Sequence, residues 1–347
     1  MLLALTAPFA YSPTAADAKQ RLRGTFSGGG ASLEPLACPT TKAALQLEQR
    51  ILGGMPLWDS RLAATVRESA THRVRLHVGT GVRRSCLTST STGAKYPVAD
   101  VYFDLLPSAS ATIGVEDLAN ELRDAWNSRM QTQFFRTPAM AFLYERGWRQ
   151  QFNTAGFPGI DKEFEEVAEF FAPAADGGTV VDLSCGSGLM TRRLCRAGRY
   201  GSVLALDYSE AMLRETSKRF DEEAVPREAL TLCRADAAAL PLQSGAVDAL
   251  HAGAAMHCWP QLEASLAEVH RVLKPGGRFF ATTFYKGAMG GSAGGGASQP
   301  QPGMMRMFAD EGELESLLAQ AGFTPELTAV RREGRGCAII RAEKACD

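Results

Sequence analysis

The chain lacks several features that would each have pointed to a class. It has no excess of either charge: 37 basic residues against 38 acidic ones leave a net −1. Nucleic-acid binders usually carry a basic excess, so this balance argues against a nucleic-acid partner. No apolar run approaches the roughly 18 to 20 residues of a membrane-spanning helix, which leaves peripheral contact as the membrane role still open. Eight cysteines contain no C-x-x-C pair. They do not read as a disulfide framework, and a reducing compartment is the default. Cys185, Cys195 and Cys233 sit in apolar surroundings and read as packing, although Cys185 could instead lie against a bound cofactor. With 347 residues the chain can hold one core of about 200 residues plus a smaller unit.

What is present begins with Asp182-Leu-Ser-Cys-Gly186-Ser-Gly188, entered from Thr179-Val-Val181 and followed 19 residues past its last glycine by Asp207. Val180, Val181 and Leu183 predict a short buried strand, and Leu189 to Ala197 a helix whose start would face a ligand. Gly186 and Gly188 allow a tight turn and close backbone approach. Val203 to Leu206 is a second strand ending in Asp207, and an acid about 20 positions past such glycines is where a ribose is gripped. A dinucleotide fingerprint needs a third glycine beside the pyrophosphate, and here Thr191 stands in its place. The spacing favours S-adenosylmethionine, which has no phosphate, over NAD.

The order downstream repeats the pattern. Leu230 to Arg234 and Val247 to His251 predict strands, Leu262 to Leu273 an amphipathic helix, and Arg278 to Phe284 a fifth strand. Lys274-Pro-Gly-Gly277 ends the helix. Alternating strands and helices imply an α/β, Rossmann-like, mostly parallel sheet with helices on both faces, whose ligands bind at the carboxyl ends of the strands. Asp182, Asp207, Asp236 and His251 fall at or near such ends.

These stretches, with Leu204 to Met212, Arg234-Ala-Asp236 and Arg271-Val-Leu-Lys-Pro-Gly-Gly277, resemble the class I S-adenosylmethionine-dependent methyltransferases. More narrowly the chain is similar to a plant and algal plastid group of the type 11 methyltransferases, related to quinone-biosynthesis enzymes. That likeness is carried by Phe142 to Gln150, Gly156-Phe-Pro-Gly159, Ser184 to Gly188 and His251 to Pro260. The resemblance implies a seven-stranded sheet, S-adenosylmethionine as cofactor and a small, apolar or phenolic, quinone-like acceptor in chloroplasts or other plastids. The alternatives are a pseudoenzyme or a plastid lipid-droplet (plastoglobule) binding protein, and a cytoplasmic setting. The oligomeric state stays open. In the general class the position of Ser184 is usually Gly, and Ser is tolerated there if its φ stays negative.

The cofactor then suggests roles. Asp207 should hold the ribose hydroxyls, Asp236 the adenine amino group, and Asp182 should sit near the methionine ammonium. Ser184, Gly186, Gly188, Tyr208, Met212 and Ala237 complete the expected cofactor set. His257 is the candidate general base, and an unperturbed imidazole would make the rate rise with pH through about 6.5. Tyr144, Arg146, Trp148, His251 and Trp259 are candidates for the acceptor side or lid. His251, lying in a strand, reads also as a core or supporting group.

Three boundaries follow. Residues 1–36, rich in Ala, Ser, Thr and Gly, suit a transit peptide or a disordered tail. Residues 37–110 resemble the place of a small zinc-ribbon-like module, but Cys38 has Thr41 where a partner thiol would stand, and Cys86 has Arg83 and Ser89. Two thiols do not make a closed zinc site, so the module is expected to be degenerate and metal-free. Residues 111–347 form the expected methyltransferase domain, with a helix over 115–131 and a flexible Gly/Ala/Ser/Pro-rich insert at 286–303.

Overall fold

The computed structural model describes residues 36, 47–49, 74–77, 85–89, 95–98, 101–106, 152–153, 155–287 and 305–346. The expected transit segment, the helix at 115–131, the motif at 142–150 and most of the Gly-rich insert lie outside the described residues.

The five strands named from the sequence appear in the anticipated order, and two more follow them. Chain order runs α1 (Ile160–Ala175), β6 (Thr179–Leu183), α2 (Leu189–Ala197), β7 (Ser202–Asp207), α3 (Glu210–Glu222), β8 (Leu230–Arg234), β9 (Val247–Ala252), α4 (Leu262–Val272), β10 (Leu273–Phe284), α5 (Glu311–Gln320), β11 (Thr328–Glu333) and β12 (Cys337–Glu343). Before these come β1 (Leu47–Gln49), β2 (Val74–His77), β3 (Ser85–Ser89), β4 (Lys95–Val98) and β5 (Phe103–Asp104). Local chemistry sets the helix ends. Ser209 caps α3 by accepting from Met212 N–H. Asp310 caps α5 by accepting from Glu313 N–H at 2.9 Å, and Glu313 returns the bond from Ala309 N–H at 2.7 Å.

Across the sheet the strands lie in the order β1-β2-β3-β4-β5-β8-β7-β6-β9-β10-β12-β11. The run from β8 to β11 holds the seven expected strands: β8, β7, β6, β9 and β10 are parallel, and β12 pairs antiparallel with both β10 and β11. Beyond β8 the sheet continues. β5 pairs parallel with β8 through Phe103↔Cys233 and Asp104↔Arg234, and the described strands of residues 47–98 extend that edge.

Alternation along the central strands feeds two cores. In β7, Leu204 and Leu206 join one apolar layer with Leu262, Leu266 and Val269 of α4 and Leu314 and Leu318 of α5. Val203 and Ala205 join the other, with Val167 and Phe171 of α1, Leu194 of α2 and Phe220 of α3. Helices therefore cover both faces, as a parallel sheet requires. Strand order reverses where β6 sits between β7 and β9, and that is where a crevice opens in such sheets. Among the described residues no helix is long and apolar enough to cross a membrane.

Candidate functional site

At the end of β6 the chain turns through Ser184 to Gly188. Gly188 has φ +80°, and a Cβ there would stand 2.6 Å from Thr216 Cγ2 of α3. Backbone conformation and packing both demand glycine at this point. Thr216 Oγ1 donates to the Gly186 carbonyl at 2.8 Å. Gly186 N–H donates to Asp207 Oδ2 at 2.9 Å, and Ser209 N–H to Asp207 Oδ1 at 2.7 Å. One carboxylate thus joins the turn after β6 to the turn after β7. Asp207 is half-buried as a residue, but its carboxyl group is enclosed. Burial pushes its pKa up to about 6, against the pull of the N–H donors.

The structure overturns the negative φ required of Ser184, which stands at +58°. A side-chain-bearing residue there costs roughly 1–2 kcal/mol. Ser184 Oγ accepts from Trp259 Nε1 at 3.0 Å, and Trp259 is 5% exposed. Without that acceptor a buried indole N–H would go unpaired, at roughly 1–3 kcal/mol. The two terms are of the same size, which explains why serine can persist in a left-handed position.

A cavity opens above these turns. From the expected set it is lined by Ser184, Gly186, Asp207, Tyr208, Met212, Asp236, Ala237, His257 and Trp259. Gly188 lies behind, at the start of α2. Phe152, Ser209, Gly253, Ala254, Ala255, Cys258 and Pro260 also line it and were not singled out. Cys258 and Pro260 lie inside the histidine motif, so proximity could have suggested them. Ala254, at φ +49°, gives no sequence signal of its conformation. Asp236 caps the short turn Ala237–Ala239, accepting from Ala238 N–H at 2.9 Å. Tyr144, Arg146 and Trp148 lie outside the described residues.

Asp182 and His251 lie beneath the cavity wall, each 1% exposed. His251 Nδ1 is 2.9 Å from Asp182 Oδ1, and its Nε2 is 3.3 Å from Glu163 Oε1. Thr191 Oγ1 donates to Asp182 Oδ2 at 2.5 Å, and Thr282 Oγ1 to Glu163 Oε1 at 3.1 Å. Burial alone would lower the His251 pKa, but hydrogen bonds to Asp182 and Glu163, with their charges, outweigh it and raise it to about 9. His251 is therefore an imidazolium held between two carboxylates, a supporting group and no part of the acceptor wall. Glu163 on α1 was not singled out, although it stands four and eight positions before Val167 and Phe171 on the buried stripe of its helix, a spacing that could have found it.

His257 differs in every respect. It is 4% exposed, its Nδ1 has no hydrogen-bond partner among the described residues, and its ring meets Phe284 edge-on at 4.8 Å. Burial pulls its pKa down to about 4. The expected titration near 6.5 is thereby corrected, since this imidazole is neutral throughout the physiological range. Its carbonyl accepts from Arg306 N–H at 2.9 Å, and the Arg306 guanidinium reaches Glu263 at 2.7 Å and Glu313 at 3.1 Å. The segment returning from the Gly-rich insert is thus anchored to the turn that carries His257.

Comparison with known proteins adds three findings. A family model described as a methyltransferase domain matches residues 181–281. Two chloroplastic uncharacterized methyltransferases of Arabidopsis thaliana are 53% identical over 157 residues and 45% identical over 193, covering 45% and 55% of this chain. The matches cover 44% and 52% of those proteins, so the chain spans about half the length of these relatives. A ubiquinone/menaquinone biosynthesis C-methyltransferase of Acidiphilium cryptum is 32% identical over 184 residues, 47% of this chain and 72% of that protein.

Proposed function

We propose that this chain, which belongs to the S-adenosylmethionine-dependent methyltransferases, transfers a methyl group to a small apolar or phenolic, quinone-like acceptor in plastids. The observation that carries the reading is the cavity on which Ser184, Gly186, Asp207, Asp236 and His257 converge. Its described lining holds two carboxylates and neither Lys nor Arg. That donor set fits a cationic, phosphate-free nucleoside better than a dinucleotide.

S-adenosylmethionine, when bound, supplies a methyl already activated by its sulfonium. The chain supplies position and proton control. Asp207 would hold the ribose hydroxyls with the lone pairs its N–H donors leave free, and Asp236 the adenine amino group. The backbone from Ser184 to Gly188 would run along the methionine portion. His257 is neutral and lines the cavity. Its Nδ1 is enclosed, so the hydroxyl proton of a phenolic acceptor would pass to the other ring nitrogen. Phe152, Ala254, Ala255, Trp259 and Pro260 give that end an apolar lining. The quinone-like acceptor is further supported by the name of the Acidiphilium relative, and the plastid setting by the names of the Arabidopsis relatives.

Calorimetry tests the cofactor. The chain should bind S-adenosylmethionine at about micromolar strength, and Asp207→Ala should weaken binding at least tenfold, about 1.4 kcal/mol. Affinity should also fall as pH drops through about 6, where Asp207 takes up its proton, and Asp207→Asn should abolish that inflection. Equal affinity in parent and Asp207→Ala would remove Asp207 from the site. Methyl transfer is then screened against reduced quinones and simple phenols.

A further inference from the structure

Two side chains from neighbouring turns of the site meet through one hydrogen bond. Ser184 belongs to the turn after β6, against which the methionine portion would lie. Trp259 closes the short turn Met256–Cys258, its backbone N–H bonding to the Met256 carbonyl at 3.2 Å. That same turn presents His257 to the cavity. The contact between Ser184 Oγ and the Trp259 indole, 3.0 Å long, crosses between them, and both side chains line the cavity. Ser184 also keeps a left-handed backbone, φ +58°, that glycine would adopt without strain. Backbone strain retained at a cavity wall points to function when something specific depends on it. Here the thing that depends on it is the orientation of Trp259.

We infer that Ser184 and Trp259 form a positioning pair, in which the serine hydroxyl ties the cofactor-binding turn to the turn carrying His257 and thereby sets affinity for S-adenosylmethionine. The inference builds on the methyltransferase reading above and adds that the two turns act as one unit. Without the tie, each turn keeps its backbone bonds, but the indole wall and the Ser184 backbone are free to move independently.

A double-mutant cycle tests it, read by calorimetry with S-adenosylmethionine and by thermal unfolding of the same samples. Ser184→Gly and Trp259→Phe should each weaken binding roughly tenfold, and the double variant should be no weaker than the worse single one, because both remove the same bond. A merely structural contact would lower the unfolding temperatures and leave affinity unchanged, and that result overturns the inference. So does a double variant weakened about a hundredfold, the product of two independent effects. If Trp259→Phe does not fold, Ser184→Ala is set against Ser184→Asn. Asn accepts both a left-handed φ and the indole hydrogen bond. It should bind closer to the parent than Ala does, and equal binding by the two overturns the inference. Failure of the parent chain to bind S-adenosylmethionine would instead strike the functional reading itself, which keeps the two failures apart.

Discussion

His257 and His251 are six positions apart in sequence and carry opposite charge states, because burial acts on one alone and on the other against two carboxylates. This fixes two pH dependences of opposite sign. His257 falls from about 6.5 unfolded to about 4 folded, so the stability it contributes is present above pH 6.5 and is lost as pH falls through 4, by at most about 3 kcal/mol. His251 rises to about 9 on folding, so its contribution is full below pH 6.5 and is lost as pH rises through 9. Thermal unfolding of His257→Gln from pH 7 to 4 should lose part of the acid decline seen in the parent. An unchanged decline would show that other groups govern it. In catalysis, a base already neutral at pH 5.5 gives no rise in rate between pH 5.5 and 8 from its own titration. His257→Ala should lower turnover roughly 10²- to 10⁴-fold with cofactor affinity intact. Retention of most activity on a phenol methylated by the parent would withdraw the base role.

At the scale of elements, strand, turn and helix around β6 were legible in the sequence because their cause is local. Val180, Val181 and Leu183 are buried, α2 runs from Leu189 to Ala197 as predicted, and Gly188 supplies the left-handed entry to it. What the sequence could not show was Thr216, 28 positions on, pressing against Gly188 from α3. Gly188→Ala therefore carries two penalties, the positive φ and the clash. Together they should destabilise the fold by about 2–3 kcal/mol, a drop of roughly 5–10 °C in unfolding temperature at about 2–4 °C per kcal/mol. Adding Thr216→Ser removes the methyl that stands nearest while keeping the hydroxyl bonded to the Gly186 carbonyl. The pair should recover part of the loss but not the share due to φ. Full recovery would mean that the backbone conformation costs nothing there. The sign of φ at Ser184 was equally out of reach of sequence reasoning, since it depends on an indole 75 positions away.

At the scale of the whole molecule, the parallel sheet and its crevice could be read from alternating strands and helices, but the edge beyond β8 could not. Val101 to Leu105 reads as a strand by composition, yet composition does not say which strand it will pair with. The structure sets Asp104 beside Arg234, with Arg234 Nη1 at 3.0 Å from Asp104 Oδ2 and Nε donating to the Tyr208 carbonyl at 3.1 Å. Tyr208 lines the cavity and begins the turn that holds Asp207. A carboxylate 130 positions upstream of Arg234, and outside residues 181–281, thus steadies one wall of the cavity. The pair is partly exposed, with side chains at 24% and 13%, so solvent screens it and its share is small. Asp104→Ala should weaken S-adenosylmethionine about two- to fivefold while leaving every cavity-lining residue in place. Raising salt from 0.05 to about 0.5 M should weaken the parent in the same direction and change the variant less, because the screened ion pair is already absent there. If Asp104→Ala binds as tightly as the parent at low salt, the edge strand is only an extension of the sheet. If it binds less tightly, the cofactor site depends on a residue outside the stretch, 181–281, that matches the methyltransferase domain.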